Sequence, residues 1–492
     1  MNRWKTKTGL TAKMRLSANM KLAALTIVAF TLAYVWPVTV SAEEEANLTK
    51  LLEVYQYIEK YHVSGTSGDV LTDEAIRAMI EVLDDPYTEY FTPERYASFA
   101  ESIDQNYVGI GVRIYQDEIG FVAEEVFPDS PAERAGIRQG DYIVSVNGMD
   151  ASELELNELV EQIRGPEGTE VELVVRRLNQ QIKVKVTRAP VQVPLVKSAW
   201  LERDRIGYIH FTTFSNEAEK TFAERLKQMK ERGMKGLVVD LRDNSGGYLQ
   251  VAENMAKHFL SEGTLIYKRD RSQQLTPHSF KGGETLGIPV VVLVNGQSAS
   301  ASEVLAGALR DQKAATLIGT RTYGKGSVQQ IIPLSDGSFL KLTIEEYLTP
   351  KRHKVHGTGL EPDIEVHGDT AQTIAALKHL GVRTIEIDWR DGQWEINGAA
   401  ISRPFAVWVQ NNKAFLPARV VAALTGSEIS WNAKSQAVEL KLNDRRHVFP
   451  VDHTSVLLEQ GTTWIELDQI RKAYPQIEAT FAGKHLYLRV ES

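Results

Sequence analysis

Two short runs limit what the middle of this chain can become. GLVVDLR (236–242) and PVVVLVN (289–295) each carry an unbroken series of apolar residues, with no apolar–polar alternation within it. A strand with one solvated face alternates, whereas a strand covered on both faces does not. The runs therefore require a sheet buried on both sides, with helices flanking it. Residues 196–366 supply them. IGYIHFTTF reads as a strand, AEKTFAERLKQMKERG as an amphipathic helix ending at Gly233, ASEVLAGALRD as a helix and ATLIGT as a further strand. The pattern is an α/β layer.

At 492 residues the chain exceeds one ordinary core, and roughly three or four domains are expected. Residues 46–102 read as short helices. LTKLLEVYQYIEKYHV has apolar positions at three- and four-residue spacing, and Thr72 is the expected N-cap of DEAIRAMIEVLDD. The aromatics of DPYTEYFTPERYASF read as packing. Residues 105–190 hold many short strands and two helices, which suits a small, partly open barrel. Residues 383–492 alternate strand, helix and strand, an α+β unit. Within it Phe415, Leu416, Val421 and Leu424 fall 49 positions before Trp464, Ile465, Ile470 and Ala473, an internal echo.

Composition is globular, with 43% apolar and 24% charged residues. Cysteine is absent, which excludes disulfides, thiolate zinc sites and a catalytic thiol. His353 and His356 are three apart but have no third ligand at helical spacing, so neither metal nor cofactor is expected. The first 42 residues carry Arg3, Lys5, Lys7, Lys13, Arg15 and Lys21 with no acidic residue. The apolar run Leu22–Val35 and the ending Val40-Ser41-Ala42 follow. That order fits a secretory signal cleaved after Ala42, with an uncleaved anchor as the rival. Cleavage would remove six positive charges and take the net charge from −8 to −14, which disfavours nucleic acid as a partner.

The chemistry lies in residues 295–330. Ser300 opens a helix. Lys325 follows 25 positions later between Gly324 and Gly326, and Gln329 four positions after that. Serine with a buried lysine is a variant of nucleophilic catalysis that needs no histidine. Each residue has a plainer reading. Ser300 with Glu303 is a capping-box pattern, Lys325 a solvated surface group, Gln329 a surface amide. Asn244-Ser245-Gly246-Gly247, at the end of a buried strand, could present amides to an oxyanion or could be a simple turn.

Taken together, DPYTEYFTPERY, YVGIGV, SPAERAGIRQGDYIVSVNG, IGYIHFTTF, VVDLRDNSGG, VLVNGQSASASE, YGKGSVQ and GTGLEPDI resemble the carboxyl-terminal processing (tail-specific) serine peptidases over residues 46–366. The resemblance is nearest to sporulation-type secreted members. It implies that Ser300 is the nucleophile, Lys325 the base and Gln329 its orienter, with Ala301 and Gly246 donating to the oxyanion. It also implies that residues 105–190 are a PDZ domain. There Tyr107, Val108, Gly109, Ile110 and Gly111 would hold a substrate's free C-terminus, and Arg164 would couple docking to activity. The tail resembles the stalk-type domain named after the N-terminal domain of copper amine oxidases. That likeness implies no copper here, and suggests wall or membrane-surface attachment, or dimer shaping.

The expected organisation is a signal peptide (1–42), a helical segment suited to homodimerisation (43–102), a PDZ domain (103–192), an α/β protease core (193–369), a linker helix (370–382) and a separately folding stalk domain (383–492). The expected function is secreted endopeptidase. A catalytically silent PDZ scaffold, or a hydrophobic-ligand carrier on the same fold, is the alternative.

Overall fold

The computed structural model describes residues 42–492 except 105, 117–119, 178–179, 193, 391–392, 402–406, 460, 484 and 492. The signal segment therefore lies outside the described residues, apart from Ala42.

Residues up to Leu83 form one unit, and the rest of the chain another. The first unit holds helices Ala42–Tyr61 and Gly68–Glu81. Thr72 does not cap the second helix. Ser67 stands at the N-cap, and the Thr72 hydroxyl donates to the Gly68 carbonyl 2.9 Å away, one turn back inside the helix. Leu48, Leu51, Leu52, Tyr57 and Tyr61 are exposed on the first helix, and Val70 and Met79 on the second.

In the second unit, residues 112–187 form a six-stranded antiparallel sheet. Two helices, Pro131–Arg134 and Leu156–Ile163, accompany it. Phe121, Ala123, Leu159, Leu173 and Val175 fill its interior. Strands Asn106–Gly109 and Ala189–Gln192 pair antiparallel, Tyr107 opposite Val191, so the chain enters and leaves this domain side by side.

The two apolar runs are adjacent central strands, Gly236–Asp240 and Val290–Val294, paired in parallel. Their sheet runs in the order 196–201, 206–211, 236–240, 290–294, 316–319, 364–365. Alternate residues face opposite ways, as strand geometry requires. Val239, Val292 and Val294 pack with helices Asn216–Glu231, Leu249–Ala256 and Ala301–Asp311. Val238, Val291 and Leu293 belong to the other face. A second, five-stranded sheet carries strands Ser327–Pro333 and Phe339–Leu348, with Glu89–Phe91 on its edge.

The other face of the central sheet changes the reading of the tail. Val238, Val291, Leu293 and Ile318 share one continuous core with Ile374 and Leu377, and with Leu416, Val421, Leu424, Ile465 and Ile470 of the tail. Helix Asp369–His379 is thus no free linker. Thr370, Ala371, Gln372, Thr373, Ile374, Ala376 and Leu377 are all buried in it. A sheet with two apolar faces needs two covers, and this helix and the tail are the second. The internal echo is structural. Lys413–Pro417 and Thr462–Glu466 pair antiparallel, with Leu416 opposite Ile465, and each runs into a helix.

Candidate active site

Ser300 sits where the loop after strand Val290–Val294 turns into helix Ala301–Asp311. Its φ of 54° and ψ of −116° lie in a region that residues with a side chain rarely adopt. Hydrogen bonds hold the turn there. The Ala299 amide and the Ser302 hydroxyl donate to the Asn244 carbonyl at 3.0 and 2.8 Å. The Ser298 hydroxyl donates to the Leu241 carbonyl at 2.8 Å. Ser300 itself is half-buried and stays reachable.

Gly246 lies against this turn. A Cβ added there would sit 2.8 Å from the Ser300 Cβ and 3.0 Å from the Ala301 nitrogen, with φ at +107°. Only glycine allows that approach. Ala301 supplies the first amide of the helix. The Gly246 amide, expected to aim at an oxyanion, instead donates to Asn244 Oδ1 at 2.9 Å. Asn244 is the stitch between the two segments, since its Nδ2 also donates to the Phe211 carbonyl.

Glu303 joins Ser300 to Lys325. Its side chain is buried in the first turn of the helix, beside Ala301, Ser302 and Val304. Oε2 accepts the Ser300 amide at 3.0 Å and the Lys325 amide at 2.8 Å. Oε1 accepts the Gly324 amide at 2.7 Å and the Thr322 hydroxyl at 2.5 Å. Burial pushes this carboxyl above its ordinary range, and the same four donors pull it back. The buried Tyr347 hydroxyl adds a second bridge, donating to the carbonyls of Ser300 at 3.1 Å and Lys325 at 2.9 Å. The capping-box reading of Ser300 and Glu303 thus missed most of what Glu303 does.

Burial is the first cause that holds the Lys325 ammonium below its ordinary range. Lys341 adds to it, while Asp85 and Glu303 oppose it. The ammonium lies 4.8 Å from the centre of the Tyr87 ring, a contact the packing reading of that aromatic cluster did not anticipate. Gln329 does not reach Lys325. Its amide nitrogen donates to Ser327 Oγ at 2.8 Å and Thr343 Oγ1 at 3.2 Å, beside a register shift between Val328 and Gln329.

In the antiparallel domain, Gly109, Ile110, Gly111, Val160, Ile163 and Arg164 line a cleft of about 150 Å³. Tyr107 and Val108 are strand residues paired with Val191 and Pro190, and Val108 does not line the cleft. Among the described residues, no group of three or more His, Asp or Glu could hold a metal.

The chain matches peptidase family S41 over residues 205–366 and a PDZ domain over 122–177. It matches the N-terminal domain of the activating protease CtpB over 36–95 and the copper amine oxidase N-terminal domain over 395–474. A probable CtpA-like serine protease of Staphylococcus aureus is 35% identical over 68% of this chain and 68% of that protein. The carboxy-terminal processing protease CtpB of Bacillus subtilis is 33% identical over 67% of this chain and 70% of that protein. A solved structure of a photosystem II D1 C-terminal processing protease aligns at 29% identity, covering 73% of this chain and 95% of that one, with a TM-score of 0.46. The chain belongs to peptidase family S41, the C-terminal processing proteases. It is a serine protease with a PDZ domain.

Proposed function

We propose that this protease is a secreted endopeptidase that cuts protein substrates near their C-termini by a serine–lysine mechanism. The observation that carries the reading is the double bridge between Ser300 and Lys325. One carboxylate oxygen takes both amides and one phenol donates to both carbonyls. Two segments 25 residues apart are locked together at a strained serine, and strain of that kind concentrates at functional sites. The half-buried lysine held toward its neutral form is the base such a serine needs.

Ser300 Oγ attacks the scissile carbonyl while Lys325 Nζ takes the hydroxyl proton. The tetrahedral oxyanion is met by the Ala301 amide, and by the Gly246 amide once it exchanges Asn244 for the substrate. Lys325 returns the proton to the leaving amine, and water then frees the acyl-enzyme. Gln329, four residues beyond Lys325, orients the amine once its side chain leaves Ser327 and Thr343.

The cleft at Gly109–Gly111 takes the substrate's C-terminal carboxylate, and Arg164 at its mouth couples docking to cleavage. The exposed apolar residues of helices Ala42–Tyr61 and Gly68–Glu81 suit a homodimer contact. The basic, apolar and small-residue order of residues 1–42 supports an extracytoplasmic setting, and the tail suits attachment to the wall or membrane surface.

The test is digestion of an unfolded protein by the wild type and Ser300→Ala, with products read by mass spectrometry. Cuts near the C-terminus that vanish in the variant support the proposal. Cleavage surviving at a tenth of the wild-type rate would exclude Ser300.

A further inference from the structure

The segment DPYTEYF, read from the sequence as packing, is built as a fixture beside Lys325. Asp85 Oδ1 accepts the Tyr87 amide at 3.0 Å, and Oδ2 accepts the Thr88 hydroxyl at 2.7 Å. Thr88 Oγ1 in turn accepts the Thr343 amide at 3.1 Å. Residues Glu89–Phe91 then pair with Phe339–Lys341 at the sheet edge. Lys341 Nζ bonds Glu89 Oε2 at 3.0 Å. A tight turn is thereby fastened at both ends to strand Phe339–Leu348.

The residue this turn presents is Tyr87. Its ring lies beneath the Lys325 ammonium at 4.8 Å and meets His356 edge-on at 6.3 Å. Its hydroxyl interacts with Tyr323. The Lys325 backbone is clamped independently. Cβ atoms added at Gly324 and Gly326 would strike the Gly359 nitrogen at 2.9 Å and the His356 nitrogen at 2.2 Å. The backbone is thus fixed by its glycine neighbours and by Glu303, while the four-carbon stem is left to other contacts. A lysine stem has several rotatable bonds.

We propose that Tyr87 is a positioning residue for Lys325: its ring directs the side chain and shields the amine from water, and the Asp85–Thr88 turn holds the ring in place. The inference rests on Lys325 as the base. A ring face attracts an ammonium, so cover by Tyr87 has two opposed effects. Contact with the face favours the charged form, and exclusion of water disfavours it. Burial is the first cause that lowers the Lys325 ammonium, and part of that burial is assigned here to the Tyr87 ring, which lies 4.8 Å from it. The charged and titratable groups around Lys325 and the Tyr87 ring are Asp85, Glu303, Lys341 and His356, with Tyr87, Tyr323 and Tyr347. Substitution of Tyr87 leaves the other six in place.

The test is the pH dependence of kcat/KM on a short reporter peptide for the wild type, Tyr87→Leu, Tyr87→Phe and Thr88→Val. The rate rises with pH as Lys325 loses its proton. Without the ring, water reaches the amine and stabilises the ammonium, so the rising limb of Tyr87→Leu moves alkaline by about half a unit or more. At neutral pH its rate falls about tenfold and recovers in part at high pH. Tyr87→Phe keeps the ring and restores the wild-type limb. Thr88→Val loosens the turn and moves the limb in the same direction, by less. An unmoved limb in both Tyr87→Leu and Thr88→Val, with a rate lowered equally at every pH, overturns the proposal. Lys325→Ala separates the two claims. If it stays active, the base reading fails and this inference with it. If it is inactive while the Tyr87→Leu limb stays put, only the role of Tyr87 fails.

Discussion

Glu303 Oε2 accepts the backbone amide of Lys325 at 2.8 Å, across 22 residues of sequence. The same oxygen takes the Ser300 amide, so the spacing of nucleophile and base depends on one buried carboxylate. A neutral amide cannot replace it, because two of its four donors would then face an NH₂ group. Leaving buried donors unsatisfied costs about 1–3 kcal/mol each. Glu303→Gln is expected to fold and to lose on the order of 10²-fold or more in kcat/KM on a short peptide. Full activity in that variant would show that the carboxylate is not needed to hold the site.

Lys325→Arg is expected to be as inactive as Lys325→Ala. The guanidinium keeps its charge and cannot act as a base at working pH. Steady-state rates across the alkaline range are the measurement, since an arginine variant that gains activity there would point to another base.

Gly246→Ala is expected to abolish cleavage with little change in secondary structure. The added methyl would meet the Ala299 carbonyl oxygen and the Ser300 Cβ, both at 2.8 Å, at a φ of +107°. Room can be made only by moving the serine turn. Circular dichroism together with peptide hydrolysis separates this local effect from unfolding.

Arg164→Ala is expected to slow cleavage of long substrates that dock in the PDZ cleft, and to spare a peptide too short to reach it. Equal losses on both would make the residue structural.

Removal of residues 369–492 is expected to give an insoluble, inactive protein. Val238, Val291, Leu293 and Ile318 are fully buried on the covered face. Burying each such side chain is worth about 1.5–3 kcal/mol, so four amount to at most about 6–12 kcal/mol. A whole domain has only about 5–15 kcal/mol to lose. The truncation also strips Arg242, fully buried with Asp240, of its bonds to the Asp369 carbonyl, Gln372 and Thr373. A soluble, active protein ending at residue 368 would show that the tail is dispensable.

How much of this could be read beforehand differs from residue to residue. The doubly covered sheet was plain in GLVVDLR and PVVVLVN, because unbroken apolar runs have few other uses. The backbone meeting of Ser300 and Lys325 followed from a motif spread over many segments. Glu303 was hidden by its own local explanation. A glutamate three residues after a helix-opening serine reads as a cap, and the clue against that reading was its place among Ala301, Val304 and Leu305, which leaves it no water. Gln329 was read as the orienter of Lys325, and periodicity gave no sign of the Ser327 and Thr343 hydroxyls that its amide nitrogen meets here. Tyr87 looked like one aromatic among several, since its partner lies more than 200 residues away. The helix at 369–379 looked like a linker because its helical pattern is as consistent with a hinge as with a lid. Only the sheet it covers tells the two apart.

The shared core beneath the central sheet bears on how this protease can be regulated. Where an accessory domain hangs on a hinge, a proteolytic nick sets the catalytic part free and can activate it. Here the tail packs in one core with helix Asp369–His379 and the back of the central sheet. If a cut between residues 380 and 395 allowed the tail to leave, it would strip that core of its outer layer and expose the helix that covers the sheet, and cleavage there would weaken the enzyme instead of releasing it.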